Sequence, residues 1–190
     1  MGLKRQHAAL RREGFAYLAG FTACIPAANW LIGHVGTACA PEGPCTVPVA
    51  PGISAPSGVL TVGLALVLRD LVQRRLGKLW SLAAIVLGTA LSAALAPPSL
   101  VFASAVAFFL SELTDFAVYT PLQRRRLVLA VLLSSLAGLV VDSAVFLRLA
   151  FGDLAYLPGQ VIGKAWMVLL TLPFVARLRE RDRRKGIEPA

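Results

Sequence analysis

Charge is scarce in this 190-residue chain: Asp, Glu, Lys and Arg together make up 15% of it. A soluble domain usually carries about 25%. Histidine is rarer still, with two residues, and three cysteines (Cys24, Cys39 and Cys45) contain no Cys-x-x-Cys pair. Those counts leave no metal-ligand spacing to read. No His-Glu-x-x-His, no Gly-x-Ser-x-Gly and no phosphate-cradling glycine loop occurs, so the chain offers no catalytic constellation and calls for no cofactor. Pro and Gly do not gather into a linker and no low-complexity tail stands out. A single domain over residues 1–190 is the expectation.

What the chain has in excess is apolar sequence: 57% of its residues are hydrophobic and its mean hydropathy is +0.71. The excess is concentrated in runs near Gly14–His34, Ser57–Gln73, Trp80–Ala96, Leu100–Pro121, Val128–Phe151 and Gly159–Ala176. Each is close to the ~20 residues that a helix needs to cross a hydrocarbon core of ~30 Å. Charges or Pro/Gly signals bound every run, and Pro97-Pro98-Ser99 leaves only a tight turn between the third and the fourth. The runs are too long for barrel strands and lack an alternating polar face. The expected fold is therefore an all-α membrane protein, a bundle of six transmembrane helices.

The net charge of +9 would suit nucleic acid if it formed a block, but it does not. Basic residues precede span one (Lys4, Arg5, Arg11, Arg12) and follow span two (Arg74, Arg75, Lys78), span four (Arg124, Arg125, Arg126) and span six (Arg177 to Lys185). The loops on the other side, residues 35–56, 97–99 and 152–158, contain none. The positive-inside rule then puts both termini in the cytoplasm, with no nucleic-acid partner implied. The first run is long and holds Pro26, Asn29 and Trp30, which reads as a retained span and not a cleaved leader. On the outer side, Cys39 and Cys45 could form a short disulfide loop in an oxidising compartment or stay as two free thiols.

A charge near the bilayer centre costs about 2.5–3.5 kcal/mol on insertion scales, so each one needs a reason. Span two holds Arg69 and Asp70, span four Glu112 and Asp115, span five Asp142, and span six Lys164. Arg148 lies near the outer end of span five, where it can snorkel. By helix rise, Arg69, Asp70, Glu112 and Asp115 lie in the inner half of the membrane, with Gln73 one turn beyond Arg69. Asp142 and Lys164 lie in the outer half, level with Asn29. Pairing among these residues could simply fix helix packing, but two polar clusters at different depths suit a solute site and a gate better than a scaffold. A loose match between Gly63-Leu-Ala-Leu-Val-Leu-Arg-Asp70 and Gly138-Leu-Val-Val-Asp142-Ser hints at a 3+3 repeat.

Several of these segments together resemble the VUT family of queuosine-precursor transporters, six-helix importers of bacterial and archaeal inner membranes. The resemblance runs through Ala27-Ala-Asn29-Trp30, Gly63 to Gln73, Ala103-Ser104 through Ser111-Glu112-Leu-Thr-Asp115, Val141-Asp142-Ser143-Ala-Val-Phe146 and Gly163-Lys164. It implies a multi-pass protein of the cytoplasmic membrane that imports a 7-deazaguanine such as preQ0 or preQ1 for tRNA modification. The substrate-binding residues would come from Asn29, Arg69, Asp70, Gln73, Glu112, Asp115, Asp142 and Lys164. A guanine-like edge presents two parallel N–H donors that suit one carboxylate, Asp142 or Glu112, with Asn29 and Lys164 reading the carbonyl. Small-residue spacings in span one, Ala19-x-x-x-Ala23-x-x-x-Ala27, suit two other arrangements. One is self-association as a homo-oligomer. The other is the docking of a partner ATPase, as in the substrate-binding components of ECF-type vitamin importers.

Overall fold

The computed structural model describes residues 2–39 and 44–190, with side chains from residue 6 onward. Most of the Ala-Pro-Glu-Gly-Pro stretch between the cysteines, and the side chains of Lys4 and Arg5, lie outside the described residues. Six α-helices make up most of the chain: α1 (Gly2–His34), α2 (Val59–Leu76), α3 (Lys78–Leu95), α4 (Val101–Leu122), α5 (Leu127–Phe151) and α6 (Leu157–Arg184). The apolar runs become these helices with most ends within a few residues, but α1 begins at Gly2, well before Gly14, and α6 runs on past Ala176 to Arg184; the sharper stops follow from backbone chemistry. Pro97 and Pro98 cannot continue α3, and the chain turns through a short 3-10 segment, Pro98–Leu100, into α4. Gly77 (φ 91°) makes the corner between α2 and α3, and Gly152 (φ 77°) ends α5. Arg148 donates through Nη1 to the Gly152 carbonyl oxygen, so this basic residue caps its own helix.

Helices α1, α3, α4, α5 and α6 are long and apolar enough to cross a membrane; α2 does not qualify by composition. It carries Arg69, Asp70, Arg74 and Arg75 and survives because it contacts all five other helices. One core cluster joins Leu66 and Leu71 of α2 to Tyr119 of α4, Leu139 of α5 and Val168 of α6. A second packs Phe21 and Cys24 of α1 against Ala65 and Ala84 of α2 and α3, with Phe108 of α4 alongside. Outward faces stay apolar: Leu79, Phe102 and Leu170 are each at least two-thirds exposed. A face of that kind suits lipid, not water.

One part of the fold was not expected from the helical pattern. The connection between α1 and α2 forms a three-stranded antiparallel sheet of β1 (Ala38–Cys39), β2 (Cys45–Ala50) and β3 (Ile53–Pro56). Cys39 and Cys45, register partners in β1 and β2, are joined by a disulfide, and Cys24 is free and buried. The sheet is fastened to the bundle by Trp166 of α6, whose Nε1 donates to the Val49 carbonyl (2.9 Å). Ser57 Oγ likewise donates to the Leu31 carbonyl (2.8 Å). Ion pairs linking α1, α2 and α6 gather at the opposite end, where both termini lie.

Candidate functional site

Between the sheet and the middle of the bundle lies a cavity of about 450 Å³, within the ~300–1,000 Å³ of small-molecule sites. Its walls are mostly apolar, with Ile25, Val62 and Leu66 among them. The ends of α1 and α3, the starts of α2 and α6, the first half of α4 and the second half of α5 line it. Into it project Asn29 of α1, Glu112 of α4, Asp142 of α5, and Gln160 and Lys164 of α6. Phe108 and Phe146 supply aromatic faces.

Lys164 is fixed before any ligand arrives. Its Nζ donates to Asp142 Oδ2 (2.5 Å), Ser143 Oγ (2.8 Å) and Gln160 Oε1 (2.9 Å), so all three ammonium protons are directed. Gln160 sits one helical turn before Lys164, which is why it reaches the same nitrogen. The Lys164 side chain is buried, whereas that of Asp142 keeps 15% of its surface exposed. Close packing makes this placement possible. Gly63 of α2 lies directly against the Lys164 backbone, and a Cβ there would collide with the carbonyl group. At Gly163 a Cβ would stand 2.5 Å from Val59 Cγ2. Asn29 is held by its own helix, its Nδ2 donating to the Ile25 carbonyl (3.0 Å).

Below the cavity floor, Arg69 gathers most of the remaining polar residues. Its Nε donates to Glu112 Oε2 (3.0 Å) and its Nη1 to Gln73 Oε1 (3.2 Å) and Ser81 Oγ (3.4 Å). Its Nη2 pairs with Asp115 and stands 3.0 Å from Asp70 Oδ1. Asp70 thus belongs to the same cluster and also accepts from Ser134 Oγ of α5 (2.8 Å). The guanidinium lies over Phe116 and Tyr119 at 5.9 Å from each ring centre, a further place for a desolvated cation.

Of the eight residues singled out from sequence, the structure puts Asn29, Glu112, Asp142 and Lys164 on the cavity. Arg69, Asp70, Gln73 and Asp115 form the packed layer beneath it. The two polar levels are not separate, because Glu112 belongs to both. Gln160 escaped notice, and Ser143 was read only as part of the segment that carries the resemblance; the i, i+4 relation of Gln160 to Lys164 was the available signal. Asp182 escaped too, and Arg74 and Arg75 do more than set topology. Asp182 accepts from Arg74 Nε and Nη2 (2.9 and 2.7 Å) and from Arg75 Nη1 and Nη2 (2.9 and 2.8 Å). Arg75 Nε also reaches Glu13 Oε2 at 3.3 Å, and Arg181 Nη2 donates to both Glu13 oxygens. Asp182 lies beyond Ala176, past the apolar span of α6. Burial would raise its carboxyl, but the hydrogen bonds from Arg75 and Arg74 hold it below the ordinary aspartate range.

Residues 92–178 match the family model described as Putative vitamin uptake transporter. The match runs from the end of α3 into α6, a little under half of the chain. It includes Glu112, Asp115, Asp142, Gln160 and Lys164 and leaves out Asn29, Arg69 and Asp70. It supports a membrane transporter for a small molecule. No curated protein and no solved structure gives a significant match.

Proposed function

We propose that this chain is a VUT-type importer of the cytoplasmic membrane that carries a queuosine precursor, a 7-deazaguanine, through the cavity between α1, α2, α4, α5 and α6. The carrying observation is convergence: Asn29, Glu112, Asp142 and Lys164 come from four helices and reach one apolar cavity. A flat heterocycle with a donor edge and a carbonyl edge needs that combination. One carboxylate takes the paired N–H groups, the second N–H of the Asn29 amide or the Lys164 ammonium meets the carbonyl, and Phe108 or Phe146 covers a ring face. In this reading both termini are cytoplasmic and the sheet faces outward. The cavity lies on the sheet side of the Arg69 layer, and the ion pairs of Asp182 close the cytoplasmic end, which matches a protein waiting for its solute from outside.

The test is a ligand-induced stability shift on protein purified in detergent, titrating preQ0, preQ1, guanine and a set of vitamins. A site filled at a hundredfold the dissociation constant should stabilise by about 2.7 kcal/mol. A selective shift with a deazaguanine, lost in Asp142→Asn, supports the proposal. A shift with a vitamin alone redirects the reading to a vitamin-binding importer component, and co-purification with an ATPase would then be sought.

A further inference from the structure

The Arg69 layer does not balance its charge. Three carboxylates, Asp70, Glu112 and Asp115, surround one guanidinium, and all four side chains are at most 2% exposed. If every group were ionised, two negative charges would remain uncompensated in the middle of the bundle. Lys164 does not relieve them, because its ammonium is taken by Asp142. Arg148 does not either, since it is turned to the Gly152 carbonyl at the far end of α5. Uncompensated carboxylates in an apolar interior take up protons instead of carrying charge.

The hydrogen bonds point the same way. Asp70 Oδ1 is near Arg69 Nη2, yet no N–H or O–H is directed at it, and Asp115 Oδ2 also has no donor. Both carboxyls stand against the same Arg69 nitrogen, Nη2. One proton held between them would supply the missing donor, and it would belong to the pair and not to either residue.

The layer is also connected on both sides. Glu112 shares Arg69 with this pair and lines the cavity. On the other side, Arg69 reaches Gln73, whose Nε2 donates to Thr120 Oγ1 (2.9 Å), toward the end that carries the termini. The charged and titratable groups around it come from every neighbouring element. Helix α2 brings Arg69, Asp70 and Arg74, the last held by Asp182, α4 brings Glu112, Asp115 and Tyr119, α5 brings Asp142, α6 brings Lys164, and α1 brings Cys24 at the cavity wall. Helix α3 contributes only the hydroxyls of Ser81 and Ser92.

We infer that this layer binds a transportable proton and that the chain is a proton-coupled symporter, with Glu112 as the group through which that proton meets the cavity. This rests on the transporter reading above and adds the coupling ion to it. The chemistry is a proton exchange alone. A carboxylate of the layer takes H⁺ from the cavity side, and the acid gives it up on the cytoplasmic side after the solute has left. Buried acid chains of this kind mark proton routes in membrane proteins.

Two measurements decide the matter. The first needs no substrate: infrared spectroscopy of the purified wild-type protein at neutral pH. A carboxylic-acid carbonyl band, shifted in heavy water and diminished in Asp70→Asn or Asp115→Asn, is expected. Its absence from the wild type overturns the inference, whatever the variants do. The second uses proteoliposomes, labelled preQ1 and a clamped membrane potential. For one proton per solute, accumulation should rise about tenfold for each unit by which the outside is more acidic. Asp115→Asn, which does not line the cavity, should still bind preQ1 but lose that dependence. Uptake indifferent to the gradient overturns proton coupling and leaves the transporter standing. Failure of every deazaguanine to bind or enter removes the substrate proposal instead, and the infrared band then decides the proton by itself.

Discussion

Glu112 Oε2 lies 3.0 Å from Arg69 Nε across a chain separation of 43 residues. That contact joins the cavity to the layer beneath it. Because Arg69 also holds Asp70, Asp115, Gln73 and Ser81, its removal would leave three acids buried with no cation. Breaking one partner out of a buried ion pair costs about 3–5 kcal/mol. Arg69→Ala should therefore lower the thermal midpoint sharply in detergent. Arg69→Lys should rescue little, because an ammonium cannot present the fork that serves Nε, Nη1 and Nη2 at once. A lysine variant as stable as the wild type would show that charge alone holds the layer.

How much of this was legible in the sequence depends on the range of the interaction. Apolar runs and proline stops are local signals, so the helices appear close to where hydropathy puts them. The charges inside spans stood out because each is costly alone, and that singled out Glu112, Asp142 and Lys164 before any geometry, with Asn29 added by its depth. Partner choice is another matter. Whether Asp70 turns toward Arg69, or Asp182 reaches back to α2 over more than a hundred residues, depends on helix rotation and tilt set by packing. Basic residues that satisfy a topological rule also hid their second use, since the rule already explained Arg74 and Arg75. The small sheet was missed because its strands are short and interrupted by Pro48, Gly52 and Pro56, which read as loop signals.

Gly63 gives a separate test of how Lys164 is placed. A methyl group there would press on the Lys164 backbone and force α2 and α6 apart. Overpacking of this kind costs about 1–3 kcal/mol. Gly63→Ala should thus be destabilising and should weaken solute binding by moving the ammonium. Gly33→Ala is the control: its Cβ would meet nothing within 4 Å, and in a helix alanine is the better residue. Equal thermal midpoints for the two variants would refute tight α2–α6 packing at this level.

The Asp142–Lys164 pair should behave asymmetrically. Lys164 is 2% exposed and keeps Ser143 and Gln160 as acceptors if Asp142 is neutralised, whereas Asp142 borders the cavity. Asp142→Asn should preserve folding and impair solute binding; Lys164→Met should leave a carboxylate without its cation and impair both. A double-mutant cycle on stability should return a coupling of about 0.5–3 kcal/mol, as for residues in direct contact. Additivity within a few tenths would mean that the pair is not formed.

At the end that carries the termini, Asp182 supplies a pH signature whose sign is fixed. Its folded-state carboxyl titrates below the ordinary aspartate range, because the hydrogen bonds from Arg75 and Arg74 outweigh burial. A lowered carboxyl favours the folded state wherever both states are ionised, that is, above the unfolded value of ~3.9. From neutral pH down to about that value the contribution should stay constant. Below it, the unfolded chain takes up a proton first, and the contribution fades as pH falls through the lower folded value. Asp182→Asn should lower stability at neutral pH, with the gap to the wild type closing only in strong acid. Arg74 and Arg75 would then be two buried cations sharing an amide, so neither single arginine substitution should be as damaging as loss of the carboxylate. Thermal unfolding of the wild type and the three variants across the acid range measures this directly. A gap that closes already near neutrality would assign the pH dependence to another group, and one that never appears would remove Asp182 as the clasp between α2 and α6.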